Sequence, residues 1–173
     1  MKKLIAIAIF VFALTVSGFA QIKSVYTTTK SELCKDLSPK GDDGTSYEGE
    51  CPGFGGYKVR LLEGDLRQTI NIITPAKKKF ELNFWSFYSG FSAIGEKLEW
   101  RVKGKTPIAM IARFNVADAE DSTKNISYLL ISKIGAKESC IVDVILPGAK
   151  QNEDARIAAD SAASKPCKSS DDQ

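Results

Sequence analysis

Carboxylates are the acid–base groups this chain has to work with, because its 173 residues include no histidine. Histidine is the usual general base near neutral pH and the usual metal ligand. Its absence excludes Ser-His-Asp and Cys-His nucleophile systems and His-ligated metal sites. Paired carboxylates remain, as in glycoside hydrolysis. The candidate pairs are Glu63 with Asp65 and Glu96 with Glu99. The first pair flanks Gly64, which is the composition of an ordinary turn. Glu96 and Glu99 stand three apart at the start of a strand pattern, so a regular strand aims them at opposite faces. Neither pair reads as catalytic, and no catalytic residue is assigned.

Ligand-binding motifs fare no better. Gly53-Phe54-Gly55-Gly56-Tyr57-Lys58 superficially resembles a phosphate loop. Such loops open a helix, whose N-terminal N–H groups meet the anion, whereas these glycines lead into a strand. A tight turn beside Cys51 is the better reading. Asp42 and Asp43 with Glu48 and Glu50 lack the spacing of an EF-hand and read as a solvated loop. Lys77-Lys78-Lys79 follows Pro75-Ala76 and reads as a solvated turn. Arg67, Arg101 and Arg113 sit beside apolar strand residues and are expected to bridge carboxylates such as Asp65 and Glu99 on the outside of a sheet, with an anion site as the alternative. No cofactor and no metal are expected.

Cysteines point to structure rather than reactivity. The four are Cys34, Cys51, Cys140 and Cys167. There is no CxxC pair, which removes the usual redox and zinc spacings. Four cysteines in an exported chain argue for two disulfides, with three pairings open. Cys34–Cys51 and Cys140–Cys167 are favoured, because each pair is close in sequence and the central region separates them.

One stretch carries a recognition signal. Phe84-Trp85-Ser86-Phe87-Tyr88-Ser89-Gly90-Phe91 places five aromatics in eight residues. One strand face cannot bury them all. Trp85, Phe87, Tyr88, Ser89 and Phe91 are therefore the candidate binding residues. For the segment as a whole the favoured reading is a long connection whose aromatics close the end of the core, with the recognition patch as the alternative.

The elements that must position these residues begin with an export signal. Lys2 and Lys3 precede an apolar run over 4–16, and Ser17-Gly18-Phe19-Ala20 has small residues where a signal peptidase cuts. Cleavage after Ala20 places the domain, 21–173, in the periplasm or outside the cell, where disulfides persist. Removing 20 of the 173 residues leaves 153, enough for one domain with a real core. With Lys2 and Lys3 gone, 22 basic residues face 21 acidic ones. Such a balance gives no case for nucleic acid or an anionic membrane, and nothing in the mature part reads as a membrane span.

The mature part reads as short strands punctuated by Gly, Pro and Asp. Strands are expected over 22–28, 47–51, 57–62, 66–74, 80–84, 97–102, 108–116, 126–134 and 139–146. Within 57–62, Tyr57, Val59 and Leu61 alternate with Lys58 and Arg60. Glu63-Gly64-Asp65 is the expected turn between 57–62 and 66–74. One helical turn is expected around Cys34. A C-terminal helix is expected over about 151–164, capped by Asn152, with Ala155, Ala158, Ala159 and Ala162 on a small-residue face. The fold class is mainly β: an antiparallel sandwich or barrel of about eight strands with one C-terminal α-helix.

Several blocks occur in a telling order. They are Cys51-Pro52-Gly53 with Gly55-Gly56-Tyr57, Gly64-Asp65-Leu66-Arg67, Leu98-Glu99-Trp100-Arg101, Pro107-Ile108-Ala109, and the tail from Asn152 to Cys167. The arrangement resembles a group of small exported bacterial proteins with no assigned function. The resemblance implies export and a disulfide-linked tail, and it brings no catalytic residues. A His follows the penultimate Cys in many of their tails. Ile141 stands there in this chain, so no role for that His carries over. A slighter similarity, the Ser89-Gly90 dipeptide in an exported β-rich chain, is to periplasmic lysozyme inhibitors.

The leading expectation is a non-enzymatic periplasmic binding or inhibitor-like module, acting through the 84–95 loop on an envelope protein or glycan. The alternatives are a β-barrel with an internal ligand cavity and a carboxylate-dependent cell-wall hydrolase.

Overall fold

Period-two alternation becomes strands that are buried on one side, and the longer strands turn out to be buried on both. The computed structural model describes residues 21–41, 46–88, 90–121 and 123–169. Residues 1–20, where the signal segment is expected, and Asp42, Asp43 and Ser89 lie outside the described residues. The strands are β1 (Ile22–Thr28), β2 (Lys35–Asp36), β3 (Ser46–Pro52), β4 (Lys58–Gly64), β5 (Arg67–Ile73), β6 (Lys79–Glu81), β7 (Ser92–Lys103), β8 (Thr106–Ala117), β9 (Asn125–Lys133) and β10 (Cys140–Ile145). One α-helix, α1 (Gln151–Asp160), follows.

The strands form one open sheet in the order β10-β9-β8-β7-β5-β4-β3-β2, with β1 on β7 and β6 on β5. All the ladders are antiparallel except a single parallel bridge between Arg67 and Ser92. That bridge is the seam of a sandwich. The ladder from Thr28↔Lys97 to Ile22↔Lys103 then puts β1 along the rest of β7. The β7–β8 register shifts between Ile94 and Leu98, an irregularity that bends the pair where β7 leaves β5 and takes up β1. Val59, Leu61, Ile70 and Ile72 from one leaf thus meet Leu98, Trp100, Val102, Met110 and Phe114 from the other in a common core. The sheet stays open, so the choice between barrel and sandwich falls to the sandwich.

A third layer covers the outer face of β8–β10. The helix stops at Asp160, short of the expected 164, and Ala162 begins a separate 3-10 turn, Ala162–Ser164. Ala155, Ala158 and Ala159 of the helix and Ala162 of that turn lie against Ala109, Ile111, Leu129, Ile131 and Val142. Small residues on the helix let its axis approach the sheet closely. This explains why β8 and β9 read as nearly continuous apolar runs rather than as clean alternation.

The helix start departs from expectation. Lys150, not Asn152, is the N-cap residue, and it makes no side-chain cap. Gln151 fixes the start instead. Its N–H bonds Gly148 O at 3.1 Å, and its Nε2 donates to Ser127 O at 2.7 Å and Ile145 O at 3.2 Å. Asn152 is left to accept from Arg113 Nη2 at 3.2 Å.

Both favoured disulfides are present, Cys34–Cys51 and Cys140–Cys167. The second ties the tail to β10, whose outer edge is also met by a bond from Lys168 N to Ile141 O at 2.8 Å. A covered edge cannot recruit a foreign strand.

Candidate binding groove

The turn between β4 and β5 sits one residue later than the sequence pattern indicates. Gly64 pairs with Arg67, leaving Asp65 and Leu66 as a two-residue loop. Both have positive φ, 54° and 57°. Two left-handed residues in succession are the signature of a type I′ turn, which matches the twist of a hairpin. The shift takes Leu66 off the apolar face of β5 and leaves it 64 % exposed.

The aromatic segment divides its side chains between core and surface. Asn83 is left-handed (φ 48°) and turns the chain from β6 into a 3-10 turn, Phe84–Ser86. Phe84 N donates to Thr69 Oγ1 at 2.9 Å, which buries this otherwise polar strand residue. Phe84 and Phe87 belong to the core, and Phe84 meets Phe114 edge to face. Trp85 is 37 % exposed and Phe91 56 % exposed. Tyr88 stacks on Tyr128 of β9, ring centroids 4.0 Å apart. Burial, with Tyr128 beside it, pushes the Tyr88 hydroxyl up to about 12. Tyr88 therefore stays neutral and keeps its hydroxyl as a donor.

These elements frame an open groove of about 550 Å³. Tyr88, Phe91, Val116, Ile126 and Tyr128 give it an apolar lining, and Asp65, Arg67 and Asp118 stand among them. The loop is held close to β8. Ala117 N donates to Phe91 O at 2.8 Å, and Ser92 N donates to Leu66 O at 3.0 Å. A Cβ on Gly90 would come within 3.1 Å of Val116 Cγ1, so glycine lets the loop approach. Of the sequence candidates, the groove brings Tyr88 and Phe91 together. Trp85 stands outside its lining and Phe87 faces the core. Sequence reading missed Tyr128, Val116, Ile126 and Asp118. They lie on β8, β9 and the connection between them, and only the fold brings them to the loop.

Neither carboxylate pair faces its own partner across a cleft, although Glu63 and Glu96, one from each pair, line a common pocket with Glu32. Glu96 is exposed and meets Lys30 at 3.4 Å. Glu99 is nearly buried, held by Arg156 Nε at 2.7 Å and by Ser24, with Arg101 at 3.6 Å. Burial alone would raise the Glu99 pKa, but the Arg156 and Ser24 hydrogen bonds and the two guanidinium charges outweigh it and hold the carboxyl below its ordinary value. An ionised, cation-bound carboxylate is a poor proton donor. Glu63 accepts from Gln68. Glu48 and Glu50 both meet Arg60, at 3.0 and 3.3 Å, which supplies the charge a calcium ion would have supplied.

The arginines divide in the same way. Arg67 pairs with Asp65 at 3.0 Å, and Arg101 bridges Glu99 and Asp160. Arg113 departs from expectation by bonding neutral acceptors, Ser127, Gln151 and Asn152, which lie where α1 begins.

Compared with known proteins, the chain matches no family model, no curated protein and no solved structure. The resemblance to small exported bacterial proteins therefore rests on the sequence blocks alone. Among the described residues, no helix is long and apolar enough to cross a membrane.

Proposed function

We propose that this chain is an exported, non-enzymatic binding module that recognises an envelope partner through the groove between the aromatic loop and the β8–β9 connection. The observation that carries the reading is the division of the aromatics. Phe84 and Phe87 close the core, while Phe91 is left more than half exposed at a groove floored by the stacked Tyr88 and Tyr128. Apolar surface exposed beside a concave site is what partner recognition uses. The two disulfides suit an oxidising compartment. An internal-ligand carrier is less well supported, because the sheet is open and large side chains such as Trp100, Phe84 and Phe114 fill the space between its leaves. A carboxylate-dependent hydrolase is less well supported, because Glu99 is held by Arg156, and Glu63 and Glu96, which share a pocket, are engaged by Gln68 and Lys30.

The test is site-specific photocrosslinking in the oxidised chain. A benzophenone side chain replaces Phe91 in one sample and Lys58, on the other leaf, in a second. The reading expects one discrete adduct from envelope extract at position 91 and none at 58. The same adducts at both positions, or none at 91, overturn it.

A further inference from the structure

Leu66 is doubly out of place. It is a branched apolar residue held at φ 57°, a region that favours glycine and asparagine, and its side chain is 64 % exposed. The turn needs neither property, since Asp-Gly or Asn-Gly would form it without strain. Strain kept without a return to the fold marks surfaces used for something else. Leu66 stands between Asp65 and Arg67, both of which line the groove, and its carbonyl is bonded to Ser92, the neighbour of Phe91. Two exposed apolar side chains thus stand at the groove, Phe91 in its lining and Leu66 in the turn whose Asp65 and Arg67 line it.

The charged residues lining the groove are Asp65, Arg67 and Asp118. Arg67 is already taken by Asp65 at 3.0 Å. Asp118 accepts from the Glu120 backbone N–H at 2.8 Å. Among the described residues, no basic side chain pairs with Asp118 or Glu120. Lys124 is held by Asp121 at 2.8 Å. The lining therefore keeps one unneutralised carboxylate, Asp118, beside an apolar floor.

We propose that the groove takes an extended protein segment presenting an apolar side chain flanked by Lys or Arg. This rests on the binding-module reading and names the chemistry of its partner. The apolar side chain sits between Leu66 and Phe91, over Val116 and Ile126, and a neighbouring cation meets Asp118. Aromatic walls add to the attraction for that cation. Nucleic acid is disfavoured by the sign of that carboxylate. A groove this open would leave much of a small molecule in water, whereas an extended segment spans it.

The experiment titrates the oxidised, 15N-labelled chain at low salt with three blocked pentapeptides, Gly-Lys-Phe-Lys-Gly, Gly-Ser-Phe-Ser-Gly and Gly-Glu-Phe-Glu-Gly. The lysine peptide is expected to bind about fivefold or more tighter than the glutamate peptide, with shifts at Tyr88, Phe91, Asp118 and Tyr128. Asp118→Asn should shrink that preference to about twofold. Leu66→Asn should raise Tm by about 1–4 °C, because asparagine tolerates the left-handed region, and should weaken the lysine peptide at least about threefold. A more stable protein that binds worse is a result no folding defect gives. Equal affinity for all three peptides, no binding at millimolar concentration, shifts away from the groove, or unchanged binding by Leu66→Asn overturns the proposal. If crosslinking at position 91 succeeds while the peptides fail, the binding module stands and the cationic segment falls. If both fail, the module falls too.

Discussion

Arg101 grips Asp160 in a fork, with Nε to Oδ1 at 2.6 Å and Nη2 to Oδ2 at 2.9 Å. The pair joins β7 to the last residue of α1 across 59 positions of sequence. The Asp160 contact, foremost, keeps the guanidinium ionised although burial opposes it. Together with Arg156 on Glu99, it makes the helix a clamp over the outer face of the sheet.

Breaking the fork should loosen the helix more than its exposed charges suggest. Asp160→Asn is expected to cost about 1–3 kcal/mol, below the figure for a fully buried pair because Asp160 is partly in water. Arg101→Lys should not rescue the geometry, since an ammonium cannot make both bonds. Urea unfolding of both single variants and the double variant measures the coupling.

Acid should weaken the clamp through Glu99. Its folded pKa lies below the ordinary 4.5, so the folded state binds its proton less readily than the unfolded state does. The stabilisation is full above about pH 5 and is lost as pH falls through the folded value. Glu99→Gln removes this contribution. Its unfolding free energy should be about 1–3 kcal/mol lower at pH 7, and its acid limb between pH 5 and 2 should be shallower than that of the wild type. Parallel limbs in the two proteins would show that Glu99 does not titrate on unfolding.

The tail disulfide protects an edge as well as closing a loop. Cys140→Ser with Cys167→Ser should lower stability by about 3 kcal/mol in the chain-entropy model. Hydrogen exchange should then quicken at Lys168, whose N–H bonds Ile141 O. A variant that loses stability while that amide keeps its protection would separate the two roles.

Phe87 and Phe91 are four residues apart and should behave oppositely. Phe87→Ala empties a core position that is only 5 % exposed and should cost about 3 kcal/mol or more. Phe91→Ala should lie within about 0.5 kcal/mol of wild type, so any loss of binding it causes is not a loss of fold. Thermal denaturation of the two variants decides this.

Local chemistry made a good deal of this protein legible in advance. Alternation at Tyr57, Val59 and Leu61 marked a strand because the period of two belongs to the extended chain itself. Cysteine spacing favoured the pairing that formed, because short loops close most readily. The alanines at 155, 158, 159 and 162 announced a helix lying close to a sheet. The missing histidine removed whole classes of chemistry. What the sequence could not place were contacts between distant segments. The one-residue shift that exposed Leu66 came from pairing Gly64 with Arg67, a matter of hairpin twist rather than hydrophobic pattern. The assignment of Phe87 to the core and Phe91 to the surface depended on Asn83 turning the chain. Tyr128, Asp118 and Arg156 acquired their roles only when β9, the β8–β9 connection and α1 folded against partners dozens of residues away. Periodicity is a local property and can be read from neighbours, whereas a groove is made of surfaces that meet only after the chain has closed on itself.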